Sequence, residues 1–218
     1  MGIDFTQNQE QRELIRLINE NNLPVIYCLG DAGTGKTFTT LVAALDLVKI
    51  QRKYSKIFYI REPLEVGKSL GFLPGDIDDK YGAYLGGLED NLEAISQFSG
   101  INKNDLKCNI ETLPPQFTRG RSFLPGSIII VDEAQNLSLM TIQTLATRLG
   151  KFCKIIFMGS TNQIDIRGKT KENNDFMISK KIFESIQEPI YAGVELVKSE
   201  RSEYCRIIDE AFTNYKDE

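Results

Sequence analysis

The eight residues Gly30-Asp31-Ala32-Gly33-Thr34-Gly35-Lys36-Thr37 constrain this chain more than any other feature. They fit the spacing G-x-x-x-x-G-K-[ST], and they stand where that spacing has meaning, between the apolar run Val25–Leu29 and a helical pattern from Lys36 to about Ile50. A glycine-rich turn in that position lets backbone N–H groups converge on a phosphate, and the following helix adds its positive end. Lys36 offers a point charge to β- and γ-phosphates, and the Thr37 hydroxyl offers a ligand to Mg²⁺. Phe38, next in line, joins the candidate cradle. The competing account is a glycine-rich turn with an accidental Lys-Thr.

A second motif sharpens the first. Ile128-Ile129-Ile130-Val131 is an apolar strand pattern that ends in Asp132-Glu133, which places two carboxylates at the carboxyl edge of a sheet, where α/β sites form. Asp132 is the candidate metal-shell carboxylate, and Glu133 the candidate base for an attacking water. A helix-capping Asp-Glu pair after a core strand is the alternative. The polar turn Gly159-Ser160-Thr161-Asn162-Gln163 follows another apolar run, and Gln163 is its candidate contact to a γ-phosphate or lytic water, against an ordinary solvated loop. Developing charge on a transferred phosphoryl group needs a cation, often lent by a neighbouring subunit, so an oligomer is expected. Arg119 and Arg121, between Phe117 and Phe123, and Arg201 are the candidates, each with a solvated or structural role as the alternative. The Phe117–Phe123 segment also combines charge with aromatics in the manner of a single-stranded nucleic-acid contact.

Composition narrows the chemistry. The chain has 218 residues and no histidine, which removes the usual zinc ligand and the usual general base, so carboxylates must carry acid–base work. A net charge of −4 does not suggest a nucleic-acid coat, and the strip Arg148, Lys151, Lys154, Arg167, Lys169 and Lys171 reads more readily as a solvated face. Four scattered cysteines form no CxxC pair and are expected to be reduced. The opening residues lack a basic region followed by an apolar stretch, and no apolar run reaches membrane-helix length, so a cytoplasmic chain with no membrane contact is expected.

Strand patterns at Val25–Leu29, Lys56–Ile60, Asn109–Thr112, Ser127–Val131 and Lys154–Met158 alternate with helical patterns at Asn8–Asn21, Lys36–Ile50, Tyr84–Phe98, Leu139–Leu149 and Ser179–Ile186, before a last strand and helix. The fold expected is α/β: a P-loop NTPase three-layer sandwich whose mostly parallel, RecA-like sheet carries helices on both faces. One domain over residues 1–218 is expected, with a Gly- and Pro-rich lid or insertion within 62–126.

Several motifs together resemble the PhoH-like ATPases, whose nucleotide domain is similar to the first motor domain of superfamily 1 helicases. Besides the P-loop, the resemblance rests on Arg61-Glu62-Pro63-Leu64-Glu65-Val66-Gly67, then Leu70-Gly71-Phe72-Leu73-Pro74-Gly75-Asp76, then Phe117–Phe123, Val131–Asn136, Thr147–Gly150 and Gln163-Ile164-Asp165, all in order. It implies ATP binding and hydrolysis, ring-shaped homo-oligomers such as hexamers, and links to RNA unwinding or processing in members fused to a PIN domain. By position, Gln9 of Asn8-Gln9 resembles the family's adenine-reading glutamine, and Arg201 falls where the family keeps an arginine after its final strand. Two positions depart: Ser160 stands where the sensor usually has an acid, and Ser202 where a histidine is usual. The implied function is an ATPase coupled to RNA or single-stranded DNA, and the alternative is a nucleotide-switched assembly protein with little motor activity. A small-molecule kinase is disfavoured by the Asp132-Glu133 pair.

Overall fold

The computed structural model describes residues 1–5, 8–63, 81–118, 120, 122–160, 174–200, 202–205, 207–208 and 211. Helix α1 spans Gln9–Asn19, β1 Val25–Gly30, α2 Lys36–Leu45, β2 Lys56–Arg61, α3 Gly86–Ser99, α4 Lys103–Lys107, β3 Ile110–Leu113, β4 Ser127–Asp132, α5 Leu139–Ala146, β5 Lys154–Gly159, α6 Asp175–Glu184 and β6 Tyr191–Leu196. The six strands form one sheet in the order β3-β2-β4-β5-β1-β6, and every pairing is parallel. The expected sandwich with a parallel sheet is therefore the observed one.

The central strands owe their place to continuous apolar runs, because a parallel sheet covered on both faces leaves no polar side. Alternation then assigns each residue to a layer. Ile26, Cys28, Ile57, Tyr59, Ile128, Ile130, Ile156 and Met158 pack with α1, α2 and α3. Val25, Tyr27, Leu29, Phe58, Ile60, Ile129, Val131, Ile155 and Phe157 pack with α5 and α6 on the opposite face. The edge strands β3 and β6 are only partly covered, and their sequences are correspondingly less apolar.

Helix starts follow their caps. Asn8, Ser138 and Asn174 each accept a backbone N–H from the first turn of α1, α5 and α6. The helix after the P-loop does not run uniformly to Ile50: it ends as an α-helix at Leu45 and continues as a π-helical turn over Asp46–Ile50. The segment expected as a lid falls partly outside the described residues, and its remainder is built into the fold. Within it, α3 buries Leu88, Leu92 and Ile95 against the sheet, and β3 pairs with β2. Lys154, read with a solvated basic strip, is buried, and its Nζ donates to the carbonyls of Glu20 and Leu23 at 2.7 Å each. Among the described residues, no helix is long and apolar enough to cross a membrane.

Candidate functional site

Because all six strands run the same way, the ends of β1, β2, β4 and β5 deliver Gly30, Arg61, Asp132 and Gly159 to one edge of the sheet. The P-loop leaves β1 there. Gly35 closes it in a left-handed conformation at φ 83°, and a Cβ at this position would meet Gln11 Nε2 at 2.5 Å. The left-handed backbone is what favours glycine here; Gln11 would have to shift as well. The turn is held from within by the Thr34 hydroxyl, which donates to the Asp31 carbonyl at 2.9 Å, and from beneath by Gln11 Nε2, which donates to the Thr34 carbonyl at 3.1 Å.

Thr37, in the first turn of α2, sits with Oγ1 3.4 Å from Asp132 Oδ1 at the end of β4. One strand, β5, lies between β1 and β4, so this contact exists only because the loop and α2 reach over the sheet edge. Lys36 Nζ donates to the carbonyls of Gly30 and Asp31 at 2.5 and 2.8 Å, folded back on the loop that would present it to a phosphate. Asp132 is 4% exposed; its other oxygen accepts a hydrogen bond from the buried Tyr59 hydroxyl and stands 3.5 Å from Arg61 Nη1. Burial first, and then the neighbouring Asp132 charge, push the Tyr59 hydroxyl well above its ordinary value, so it stays a donor.

Glu133 turns out of the strand in a left-handed conformation, φ 52°, unusual for a residue with a side chain. Its Oε2 accepts from Gln135 Nε2 at 2.6 Å, and Arg61 Nη2 is 3.8 Å from Oε1. Burial raises its carboxyl above the ordinary range, Asp132 adds to the rise, and Gln135, Arg61 and Lys36 oppose it. Burial lowers the Lys36 amine, while Cys28, Glu133 and Asp132 hold it up. A cleft of about 290 Å³ joins these groups, lined by Lys36, Thr37, Phe38, Arg61, Gly87, Asn91, Asp132 and Glu133.

The other expectations divide. Ala32 and Gly33 also line the cleft. Gly30 and Thr34 shape the loop instead, since a Cβ on Gly30 would meet the Leu196 carbonyl at 2.5 Å. Asp31 Oδ1 accepts from the Ser160 hydroxyl at 3.0 Å, so the residue standing in for an acid is tied to the loop. Gln163, Arg119, Arg121 and Arg201 lie outside the described residues. Phe123 is buried against Phe58, with ring centroids 5.3 Å apart, and is not available for stacking on a base, whereas Phe117 is exposed.

Gln9 is exposed on the first turn of α1. The side chain that meets the P-loop is Gln11, two residues on and about 200° further round the helix. Sequence held the signal, for Gln11 stands three and seven residues before Leu14 and Ile18 on the buried stripe, while Gln9 shares a face with Arg12, Glu13 and Arg16. Arg61, Tyr59 and Gln135 were also unassigned by sequence. A charged residue closing an apolar strand, as Arg61 closes β2, marks the same edge that Asp132 marks.

The residues present fit a magnesium ion. Among the described residues no three His, Cys, Asp or Glu side chains cluster to hold a metal unaided. A hydroxyl and a carboxylate already within 3.4 Å of each other are the sparse oxygen set that Mg²⁺ takes when phosphates and water complete its shell.

Comparison with known proteins places the chain. The family model described as PhoH-like protein matches residues 5–213. Protein PhoH2 of Bacillus subtilis (strain 168) is 34% identical over 202 residues, covering 90% of this chain and 45% of that protein. A PhoH-like protein of the same organism is 32% identical over 196 residues, covering 90% of this chain and 58% of its own length. Among solved structures, the Pyrococcus furiosus Hef helicase domain overlays 84% of this chain and 37% of its own, with TM-score 0.45 and 13% identity. This chain thus spans about half the length of the curated relatives it matches. With the family model covering nearly the whole chain, it belongs to the PhoH-like protein family.

Proposed function

We propose that this chain binds ATP with Mg²⁺ in the cleft over the P-loop and hydrolyses it, and that hydrolysis is coupled to remodelling of RNA or single-stranded nucleic acid by a homo-oligomer. One observation carries the hydrolytic part: the P-loop pair Lys36 and Thr37 and the strand-end pair Asp132 and Glu133 face one cleft, with Thr37 and Asp132 in contact. Thr37 and Asp132 would hold the metal, whose chemistry is to neutralise charge on the phosphates. The P-loop amides and Lys36 bind the phosphates, while Gln11, under the loop, is better placed than Gln9 to reach a base.

Glu133 is the group suited to accept a proton from water. Burial raises its basicity, and Gln135 fixes one of its oxygens, leaving the other toward the cleft and Arg61. The nucleic-acid part rests on family membership and on the exposed Phe117. The alternative reading, a nucleotide-switched assembly protein, draws on a different observation: the Glu200 N–H donates to the Gly33 carbonyl at 2.8 Å, joining the segment after β6 to the loop that senses phosphate.

Steady-state hydrolysis of Mg·ATP, with and without single-stranded RNA, tests both. Glu133→Gln is expected to lower turnover by roughly 10²- to 10⁴-fold with nucleotide binding retained. RNA stimulation of the parent supports the coupled enzyme; Glu133-dependent turnover indifferent to RNA supports the switch. Turnover undiminished in Glu133→Gln would overturn the assigned base.

A further inference from the structure

Four charged side chains meet in the cleft, and the proposed hydrolysis employs three of them. Arg61 is the fourth. It ends β2 in register with Asp132 across the β2–β4 ladder, so both side chains leave the sheet at the same edge. Its backbone is pinned: the buried Tyr81 hydroxyl accepts the Arg61 N–H at 3.2 Å and lies 3.1 Å from the Arg61 carbonyl and 2.7 Å from that of Leu113. The guanidinium is held only loosely. It stands 3.5 Å from an Asp132 oxygen and 3.8 Å from a Glu133 oxygen, whereas a closed arginine–carboxylate fork runs at about 2.7–2.9 Å. A side chain 28% exposed is too covered for a solvated surface arginine and free enough to turn within the cleft it lines.

Charge then decides where it goes. Without nucleotide, Asp132 and Glu133 face Lys36 and Arg61, two charges against two. Were Asp132 to hold a metal ion, its hold on Arg61 would weaken, and bound phosphates would offer the guanidinium new negative charge within the cleft it lines. A cation positioned there by a rigid strand end stabilises charge on a transferring phosphoryl group without reorganising at the moment of reaction.

We propose that Arg61 is a catalytic residue supplied by the same chain: it leaves the Asp132–Glu133 pair when Mg·ATP fills the cleft and holds the γ-phosphate oxygens through hydrolysis. The inference rests on the ATPase reading above. In the step, the water oxygen bonds to the γ-phosphorus as the bond from that phosphorus to the β–γ bridging oxygen breaks. The electron pair stays with ADP, the water proton passes to Glu133, and inorganic phosphate is released. Arg61 thereby takes the role that sequence assigned to a neighbouring subunit's Arg119, Arg121 or Arg201, and it distinguishes triphosphate from diphosphate.

The test compares the parent with Arg61→Gln and Arg61→Lys in binding of Mg·ADP and of Mg·AMPPNP, the non-hydrolysable imido analogue, by calorimetry, and in single-turnover hydrolysis at protein concentrations spanning three orders of magnitude. Arg61→Gln is expected to lose about tenfold or more of the AMPPNP-over-ADP preference while binding Mg·ADP within about threefold of the parent, and to slow hydrolysis roughly 10²- to 10³-fold, a loss typical of a missing charge-stabilising donor. Arg61→Lys should recover part of both, which also shows that the position tolerates change without unfolding. Parent turnover per chain should not depend on concentration. An unchanged preference in Arg61→Gln, or turnover that appears only on association, overturns the role of Arg61 while leaving the ATPase standing. A parent that binds neither nucleotide overturns the ATPase reading and Arg61 with it.

Discussion

Two side chains that this fold covers, Glu133 in part and Lys154 wholly, have opposite relations to charge. Glu133 keeps a left-handed backbone, the kind of local cost that functional sites retain; burial and the Asp132 charge raise its carboxyl, while Gln135 and Arg61 hold it at the cleft and oppose the rise. Lys154 serves structure instead. Burial pulls its amine down to about 8, against an ordinary value of 10.5, with Glu20 opposing weakly. A neutral amine still has two N–H donors for the carbonyls of Glu20 and Leu23. Between these two values the unfolded chain binds more protons than the folded one at this site, so the cost of burying the charged amine, complete below about 8, is relieved as pH rises from about 8 to 10.5. The stability difference between the parent and Lys154→Met, from urea unfolding, should move in the parent's favour between pH 7 and pH 10. An unchanged difference would show that Lys154 stays charged in the fold. Sequence could not single out Lys154 from the rest of its basic strip, because the Leu23 carbonyl that receives its amine lies 131 residues away. Gln11 is the contrary case, legible from helical phase alone.

At the scale of elements, the strands were legible and the helix details less so. Four apolar runs became β1, β2, β4 and β5 within a residue of their expected limits, since an all-parallel sheet writes its burial into continuous sequence. The π-helical turn over Asp46–Ile50 has no such signature. Helix α3 matters most for the site, because its first turns bring Gly87 and Asn91 to the cleft while Leu88, Leu92 and Ile95 anchor it in the core. Leu92→Ala is expected to cost about 2–5 kcal/mol, read as a lower urea midpoint at constant m-value. A cost near zero would mean that α3 rests on the sheet without holding it.

Across the whole molecule, the order β3-β2-β4-β5-β1-β6 separates residues distant in sequence and then rejoins them at one edge. Motif spacing gave Lys36, Thr37, Asp132 and Glu133; it could not give Arg61, whose importance depends on β2 lying beside β4. A ligand bound only by the folded state stabilises it by mass action, so Mg·AMPPNP at a hundred times its Kd should add about 2.7 kcal/mol to unfolding, seen as a raised thermal midpoint, and Lys36→Ala should abolish the gain. An equal gain in both would place the nucleotide elsewhere.

The P-loop is also where the chain meets itself. Asn8, capping α1, donates from Nδ2 to Glu200 at 2.6 Å; the Glu10 carboxylate accepts from the backbone of Val197 and Lys198; and Glu200 reaches Gly33. Residues 8 and 200 therefore close the polypeptide into a loop whose clasp touches the phosphate cradle at Gly33. A tension applied between those two points would fall first on the Asn8–Glu200 hydrogen bond and the Glu10 contacts beside it, and the Glu200–Gly33 bond would pass part of it to the cradle.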